Sequence, residues 1–386
     1  MKFSPLDNMP SSASRKPQSR PDRSKKQPLT CLDLFCGCGG FSLGMIRAGF
    51  RVLAAVDFNK EAVATARENL GVPESEGQSR HVDVPITHVL EADLTTFGPK
   101  DMEKLIGCDR VDVIVGGPPC QGFSSARQRD GANHGEKRFV EDARRHLYKE
   151  FLKYVEHFKP RVFVMENVLG IRSAAGGEYY TRVLHEARKL GYRVQSQIED
   201  AYRLGVPQKR RRQLFIGVRA NIAEFFPAEV PPAPRAMAGT NFGAALADLP
   251  PLKAGRGLQV REYNMRLREA ALALDAQTEN YLLRVLEVGK VGMLTGHVAR
   301  PHSDRDLRDF ALLAEGENSA TAMRVGRKFE FPYDKNSFKD RYTRQSRSEP
   351  CSTIVAHLSK DGLMFIHPDR KQNRSITPRE AARAQS

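Results

Sequence analysis

Cys120 is the side chain with the most chemistry to offer. It sits in Gly116-Gly117-Pro118-Pro119-Cys120-Gln121-Gly122-Phe123-Ser124, directly behind the β-branched run Val111-Asp112-Val113-Ile114-Val115. The run reads as a buried strand, and two glycines with two prolines stop it in a rigid turn. A cysteine there lies at the carboxyl end of a strand, the edge where open α/β sheets bind ligands. Most free cysteines are packing residues. The Pro-Pro in front and the polar, glycine-bearing loop behind suit instead a nucleophilic thiolate held on a stiff loop. Glu166 follows a second such run, Val162-Phe163-Val164-Met165. It either caps the segment after it or offers an acid in a pocket that excludes water, where burial is expected to make it hold its proton more tightly. The basic run Lys209-Arg210-Arg211-Arg212 abuts the strand-like Leu214–Val218, and such runs are usually solvated or phosphate-binding faces.

The elements that must position these groups alternate in type. Leu29–Phe35 reads as a first strand, Gly37, Gly39 and Gly40 as a tight turn, and Phe41–Ala48 as a helix ended by Gly49. Glycines at that junction let the backbone approach a ligand closely, with helix amides aimed at it. The nicotinamide fingerprint G-x-G-x-x-G fails, because its third glycine is Ser42. The next strand, Val52–Val56, ends at Asp57, and an acid about 20 residues beyond a glycine turn commonly holds ribose hydroxyls. Helices are predicted over Lys60–Asn69, Leu147–Phe158 and Tyr179–Leu190, and a strand over Tyr192–Ile198. Alternation of this kind predicts an α/β, doubly wound, mostly parallel sheet. Ser124 to Arg145 is a long polar segment with six basic residues, of the length that is usually functional in a compact domain.

Composition changes at Pro227-Ala228-Glu229-Val230-Pro231-Pro232-Ala233-Pro234, a proline linker. Beyond it the pattern predicts helices over Asn241–Leu249 and Arg261–Val288, a polar loop over Gly296–His302, and short strands over Phe338–His367 with Arg341, Arg344, Arg347 and Lys360 interspersed. His297 and His302 have no third ligand at metal spacing, so they read as structural or phosphate-facing and no metal is expected. Residues 1–28 are rich in Ser, Pro, Arg and Lys without apolar periodicity, a disordered basic tail. The chain of 386 residues is long enough for two cores. Its net charge of +15 suggests a polyanionic partner, since each phosphate neutralised releases a counterion. No run of about 18 apolar residues argues for a membrane span. The six cysteines form no C-x-x-C pair, and reduced thiols in a cytoplasm fit best.

Four stretches, taken together, carry a resemblance. Asp33-Leu34-Phe35-Cys36-Gly37-Cys38-Gly39-Gly40, Pro118-Pro119-Cys120-Gln121, Glu166-Asn167-Val168 and Gln208-x-Arg210-x-Arg212 resemble motifs of the bacterial-type cytosine-5 DNA methyltransferases, in the family's order. Thr377-Pro378-Arg379-Glu380-Ala381-Ala382-Arg383-Ala384-Gln385 is similar to the family's ninth motif. The resemblance implies an S-adenosylmethionine-dependent methyltransferase fold over residues 29–225 and a smaller mixed target-recognition domain over 226–372. Residues 373–386 would begin a helix returning to the catalytic domain. It implies that Phe35, Gly37, Gly39, Asp57, Phe58, Asp93 and Pro118 line the S-adenosyl-L-methionine pocket. Cys120 would attack cytosine, Glu166 would serve as the acid on the ring, and Arg212 would lie near the base.

The family's final motif, which completes the cofactor pocket, has no counterpart here. The chain is therefore expected to be truncated or completed by a separate chain, leaving the helix face of Phe41, Met45 and Ile46 uncovered. Double-stranded DNA is the expected partner, in a cytoplasmic, nucleoid-associated setting with no membrane. Two rivals stand beside this reading: an RNA (tRNA) cytosine-5 methyltransferase on the same fold, and one subunit of a split or non-catalytic DNA-binding assembly.

Overall fold

The strand Thr30–Leu34 (β1) lies where the sheet turns over. The computed structural model describes residues 27–71, 85–119, 146–225, 239–290, 292–331, 342–355, 358 and 362–386. Arg51–Asp57 (β2), His88–Glu91 (β3), Val113–Gly116 (β4), Val162–Asn167 (β5), Tyr192–Asp200 (β6) and Arg211–Arg219 (β7) complete a seven-stranded sheet in the order β3-β2-β1-β4-β5-β7-β6. The strands run parallel from β3 to β5, and β7 is antiparallel to both of its neighbours. The order reverses between β1 and β4, so a crevice opens there beyond the strands' carboxyl ends.

Burial on both faces explains the apolar runs. β4 is buried at every position, and β1 everywhere but its first residue, as a parallel sheet covered by helices requires. Gly40–Arg47 (α1) and Lys60–Leu70 (α2) pack on one face through Phe41, Met45, Val63, Ala66 and Leu70. Pro99–Ile106 (α3), Leu147–Phe158 (α4) and Glu178–Lys189 (α5) cover the other, through Met102, Phe151, Phe158 and Val183. In α4 the apolar residues Tyr148, Phe151, Leu152, Val155 and Phe158 recur at helical spacing, which aims one stripe at the sheet. The helix stops at Lys159 in the left-handed region, one residue before Pro160. Two glycines permit contacts that no side chain would. At Gly217 an added Cβ would fall 1.9 Å from Phe163, and at Gly116 it would fall 2.2 Å from the Leu34 carbonyl.

Residues 239–386 build a second set of cores around Phe242, Tyr281, Phe310, Tyr342 and Phe365. Here three expectations from sequence are corrected. The long helix over Arg261–Val288 is broken: Gly257–Glu262 (β8) is a strand, followed by separate helices at Met265–Leu272 and Ala276–Asn280 and a π-helical turn at Tyr281–Val285. Asn264 and Asp275 start each helix afresh by accepting Leu267 N at 3.2 Å and Thr278 N at 2.8 Å. The polar loop over Gly296–His302 begins inside a strand, Met293–Val298 (β9), which pairs antiparallel with β8. Within the described part of Phe338–His367 there are isolated bridges, such as Arg344 with Ile366, in place of strands.

Arg344 does not face a ligand either. It is fully buried and donates to the carbonyls of Leu313, His367 and Phe310 and to Asn373 Oδ1, at 2.7–3.0 Å. The two histidines are structural. His297 sits between the Pro250 carbonyl and Thr377 Oγ1, and His302 beside Ser375. The last helix, Pro378–Ala384, opens with a capping box between Thr377 and Glu380. It packs on β9 and on the short helix Phe242–Leu246. Its buried Glu380 pairs with Arg374 at 2.7 Å, and Arg383 pairs with Asp248. No helix among the described residues is long and apolar enough to cross a membrane, and no group of described His, Cys, Asp or Glu residues could hold a metal ion.

Candidate active site

Three chain segments meet at the carboxyl edge of β4 and β5. β4 ends in Gly116 and runs on through Gly117 and Pro118. β5 ends in Glu166 and Asn167, and β7 starts opposite them because it is antiparallel. The result is a close pair. Arg212 Nε lies 2.7 Å from Glu166 Oε1, and both side chains are mostly covered. The other carboxylate oxygen faces Gly117, where a Cβ would come within 3.3 Å of it. Asn167 Nδ2 donates to the Pro118 carbonyl at 3.2 Å, which ties the start of the proline turn to β5. Sequence reasoning expected a carboxyl governed by burial at Glu166; the structure supplies a guanidinium directly against it. Cys120 and Ser124–Arg145 lie outside the described residues, so the pair is seen from the side of its acid and its cation.

The five described cysteines are poor nucleophiles. Burial raises the Cys31, Cys36 and Cys351 thiols well above the ordinary value, and Asp33 adds to this at Cys31 and Cys36. Cys38 and Cys108 are raised chiefly by burial as well. A thiol that keeps its proton neither attacks nor binds metal well.

The second part of the site is the turn between β1 and α1. Phe35 adopts φ 58°, Gly37 φ 54° and Gly39 φ 87°, so the chain reverses within five residues. A left-handed non-glycine residue is a strained position of the kind that clusters at ligand sites. Asp57 braces the turn: Oδ2 accepts Gly37 N at 2.8 Å, and Oδ1 accepts Asn59 N at 2.9 Å. Open space lies over Gly37 and Gly40, whereas a Cβ on Gly39 would strike Leu70 at 2.4 Å. Phe58 stands 66% exposed beside the opening, an uncovered ring next to a polar cradle. Asp93 follows β3; its Oδ1 accepts Thr95 N at 2.9 Å and its carbonyl accepts Thr96 N and Phe97 N, so it organises a turn at the same edge.

Sequence reading passed over three residues. Asp33 is fully buried under the turn and accepts both Ser42 N at 2.9 Å and Ser42 Oγ at 2.6 Å. Burial raises its carboxyl to about 7, the Ser42 bonds oppose the rise, and the charge of Asp57 adds to it. The signal was an acid inside an otherwise apolar strand. Asn167 stood in the Glu166-Asn167-Val168 stretch without a role of its own, and Gln213 had no signal, because a polar residue at a strand end is ordinary; both are buried.

Residues 29–386 match the family model of the C-5 cytosine-specific DNA methylases. The chain belongs to that family. It is a DNA (cytosine-5-)-methyltransferase built on the α/β fold that goes with S-adenosylmethionine dependence. Among curated relatives, the type II methyltransferase M.DdeI of Desulfomicrobium norvegicum is 32% identical over 375 residues, covering 93% of this chain and 78% of that protein. M.AgeI of Thalassovita gelatinovora is 28% identical and covers 92% of this chain and 90% of its own length. A solved structure described as a DNA modification methyltransferase encoded within an E. coli prophage superposes at a TM-score of 0.60 with 26% identity, over 93% of this chain and 88% of that one. In this methylase the glycine turn and the Glu166–Arg212 pair stand at the carboxyl edge of the sheet, near the reversal of strand order.

Proposed function

We propose that this methylase transfers a methyl group to carbon 5 of a cytosine flipped out of duplex DNA, through a covalent adduct with Cys120. The observation that carries the reading is the Glu166–Arg212 pair. It stands against Gly117, three residues ahead of Cys120, at the edge where β4 hands over to the proline turn. Carbon 5 of cytosine is a weak nucleophile. Addition of the Cys120 thiolate to carbon 6 makes the ring an enamine, which is nucleophilic at carbon 5. As the new carbon–sulfur bond forms, Glu166 delivers a proton to ring nitrogen 3 and accepts from the exocyclic amine, so that charge does not accumulate on the base. Arg212 donates to the ring carbonyl, which orients the base. After transfer, the carbon 5 proton leaves to a base, the Cys120 bond breaks, and the nitrogen 3 proton returns to Glu166.

S-adenosyl-L-methionine supplies the activated methyl group. The residues present fit it: the open backbone at Gly37, the braced carboxylate of Asp57 and the bare ring of Phe58 would hold the methionine, ribose and adenine parts in turn. Phe35, Gly39, Asp93 and Pro118 would shape the rest of the pocket. Flipping costs about a few kcal/mol of unstacking, and a basic surface over residues 239–386 would hold the duplex while that happens. Residues 226–372 are read as the target-recognition domain, and the relatives' names support a place in a restriction-modification system.

The test is a duplex carrying 5-fluorocytosine at the target, incubated with the methyl donor. Fluorine blocks the final elimination, so a denaturation-resistant adduct mapping to Cys120 is expected. Full methyl transfer by Cys120→Ser refutes the covalent step, and transfer to tRNA but not to duplex DNA refutes the substrate.

A further inference from the structure

The loop beyond Glu166 and Asn167 carries a second device at the same edge. Leu169–Arg172 makes a short 3-10 turn, and Arg172 at its end is exposed. Yet its guanidinium is held twice. Nη1 donates to Gln213 Oε1 at 3.2 Å, and Cζ lies 5.2 Å from the centroid of the Tyr180 ring. Both supports are themselves fixed. Gln213 is fully buried, and its amide donates to Ser196 Oγ at 2.8 Å and to the carbonyls of Gln197 and Leu214. Tyr180 Oη donates to the same Ser196 hydroxyl at 2.7 Å.

Holding a long exposed side chain still costs rotamer entropy, and the supports are neutral. The exposed Arg182, Arg308 and Arg347 pair with Glu178, Glu330 and Glu315. Arg172 has no ion pair with a carboxylate among the described residues, so its charge is held rigidly and no described acid compensates it. Its place is specific too. Gln213 lies opposite Asn167 in the sheet and follows Arg212 in the chain, so Arg172 sits at the same carboxyl edge as the Glu166–Arg212 pair, with its supports on the other face of the sheet. A strand of DNA presents a phosphate about every 3.4 Å of axis. A fixed fork of donors at that edge is placed to meet the backbone flanking a flipped base, and guanidinium geometry matches phosphate oxygens.

We propose that Arg172 is a DNA phosphate contact flanking the target nucleotide, pre-oriented by Gln213 and Tyr180. The proposal rests on the DNA methyltransferase reading above. A phosphate contact positions the duplex without reading sequence, so its loss weakens all duplexes alike. The test is fluorescence anisotropy of a short labelled duplex bound by the full chain across a salt series, with Arg172→Gln and Arg172→Lys and with thermal unfolding of each. For Arg172→Gln the slope of log K against log salt should become shallower by about 0.9, with affinity at low salt reduced about 5- to 10-fold on target and scrambled duplexes alike. Arg172→Lys should recover the slope, because it keeps the charge, without recovering all of the affinity. An Arg172→Gln chain with the wild-type slope and affinity and a lowered Tm makes Arg172 a structural pillar and overturns the proposal. A wild-type chain that ignores duplex DNA at every salt concentration overturns the functional reading as well, so the two failures are distinct.

Discussion

Asp33→Asn should turn a pH-dependent contribution to stability into a flat one. Asp33 is fully buried; one carboxylate oxygen holds both Ser42 bonds and the other has no partner. The charge of Asp57 raises it further, and the Cys31 and Cys36 thiols beside it carry no compensating positive charge. The carboxyl therefore moves from 3.8 in the unfolded chain to about 7 in the fold. An acid raised in this way binds more protons folded than unfolded between those two values. Stability then falls as pH rises through that window and levels off above it. At 1.36 kcal/mol per pH unit, ionising Asp33 in place removes about 2–3 kcal/mol between about pH 5 and about pH 8. In the Asp33→Asn variant the side-chain carbonyl still accepts from Ser42. The new amide is a buried donor without a partner, at about 1–3 kcal/mol independent of pH. Urea unfolding of both proteins across the window gives the difference directly, since other titrating groups cancel. The variant should gain on the wild type by about 2–3 kcal/mol toward the alkaline end. A difference that stays constant with pH would show that Asp33 is ionised throughout and that burial does not govern it.

Two further substitutions probe packing and buried charge. Gly217→Ala places a methyl 1.9 Å from the Phe163 ring, so it should destabilise the sheet by about 1–3 kcal/mol. Phe163→Leu in the same chain should return part of that loss, and an unchanged Tm for Gly217→Ala would refute the clash. Arg344 is lowered to about 10, mainly by burial with the charge of Arg370 adding to it, so it stays protonated at neutral pH. Arg344→Met strips the buried carbonyls of Leu313 and His367 of their donor, at about 1–3 kcal/mol each, while the Phe310 carbonyl keeps its bond from Leu313 N. Hydrogen exchange should then show residues 239–386 opening well before the seven-stranded sheet. Equal protection of the two regions would show that Arg344 does not hold that part together.

Period and punctuation were enough for most of the seven-stranded sheet and its helices, although β3 and α3 drew no reading. Leu147–Phe158 matches its helix end to end, because its apolar stripe is complete and Pro160 fixes the stop. β1 and β4 were legible for a related reason, since strands buried on both faces must be apolar along their length, and β2, β5 and β7 through the apolar stretches inside them. The second half had no such advantage. Its helices are five to eight residues long between Phe242 and Arg324, too short for a stripe to establish a period, and two of them begin at side-chain caps inside what reads as one helix over Arg261–Val288. β8 shows the limit most clearly. Leu258 and Val260 alternate with polar residues but remain exposed, so the strand exists through its pairing with β9 and not through a core that a pattern could announce.

The basic run shows how spacing can be read while its consequence stays hidden. Four cations in a row suggest a solvated face, yet the two ends of this run are fastened to different bodies of structure. At one end Gln208 is fully buried and donates to the Ala384 carbonyl at 3.4 Å, while Lys209 N bonds to the Cys351 carbonyl and Cys351 N to the Pro207 carbonyl, both at 2.8 Å. At the other end Arg212 is locked to Glu166. The run thus spans from the last helix and the Cys351 segment to the acid at the sheet edge within five residues. A shift of residues 239–386 would pull on Gln208, and the backbone between Gln208 and Arg212 is too short to absorb it without moving Arg212. None of the partners at the far end lies within 130 residues of the run in sequence. Local pattern therefore had no access to the connection, although the residue types that make it were in plain view.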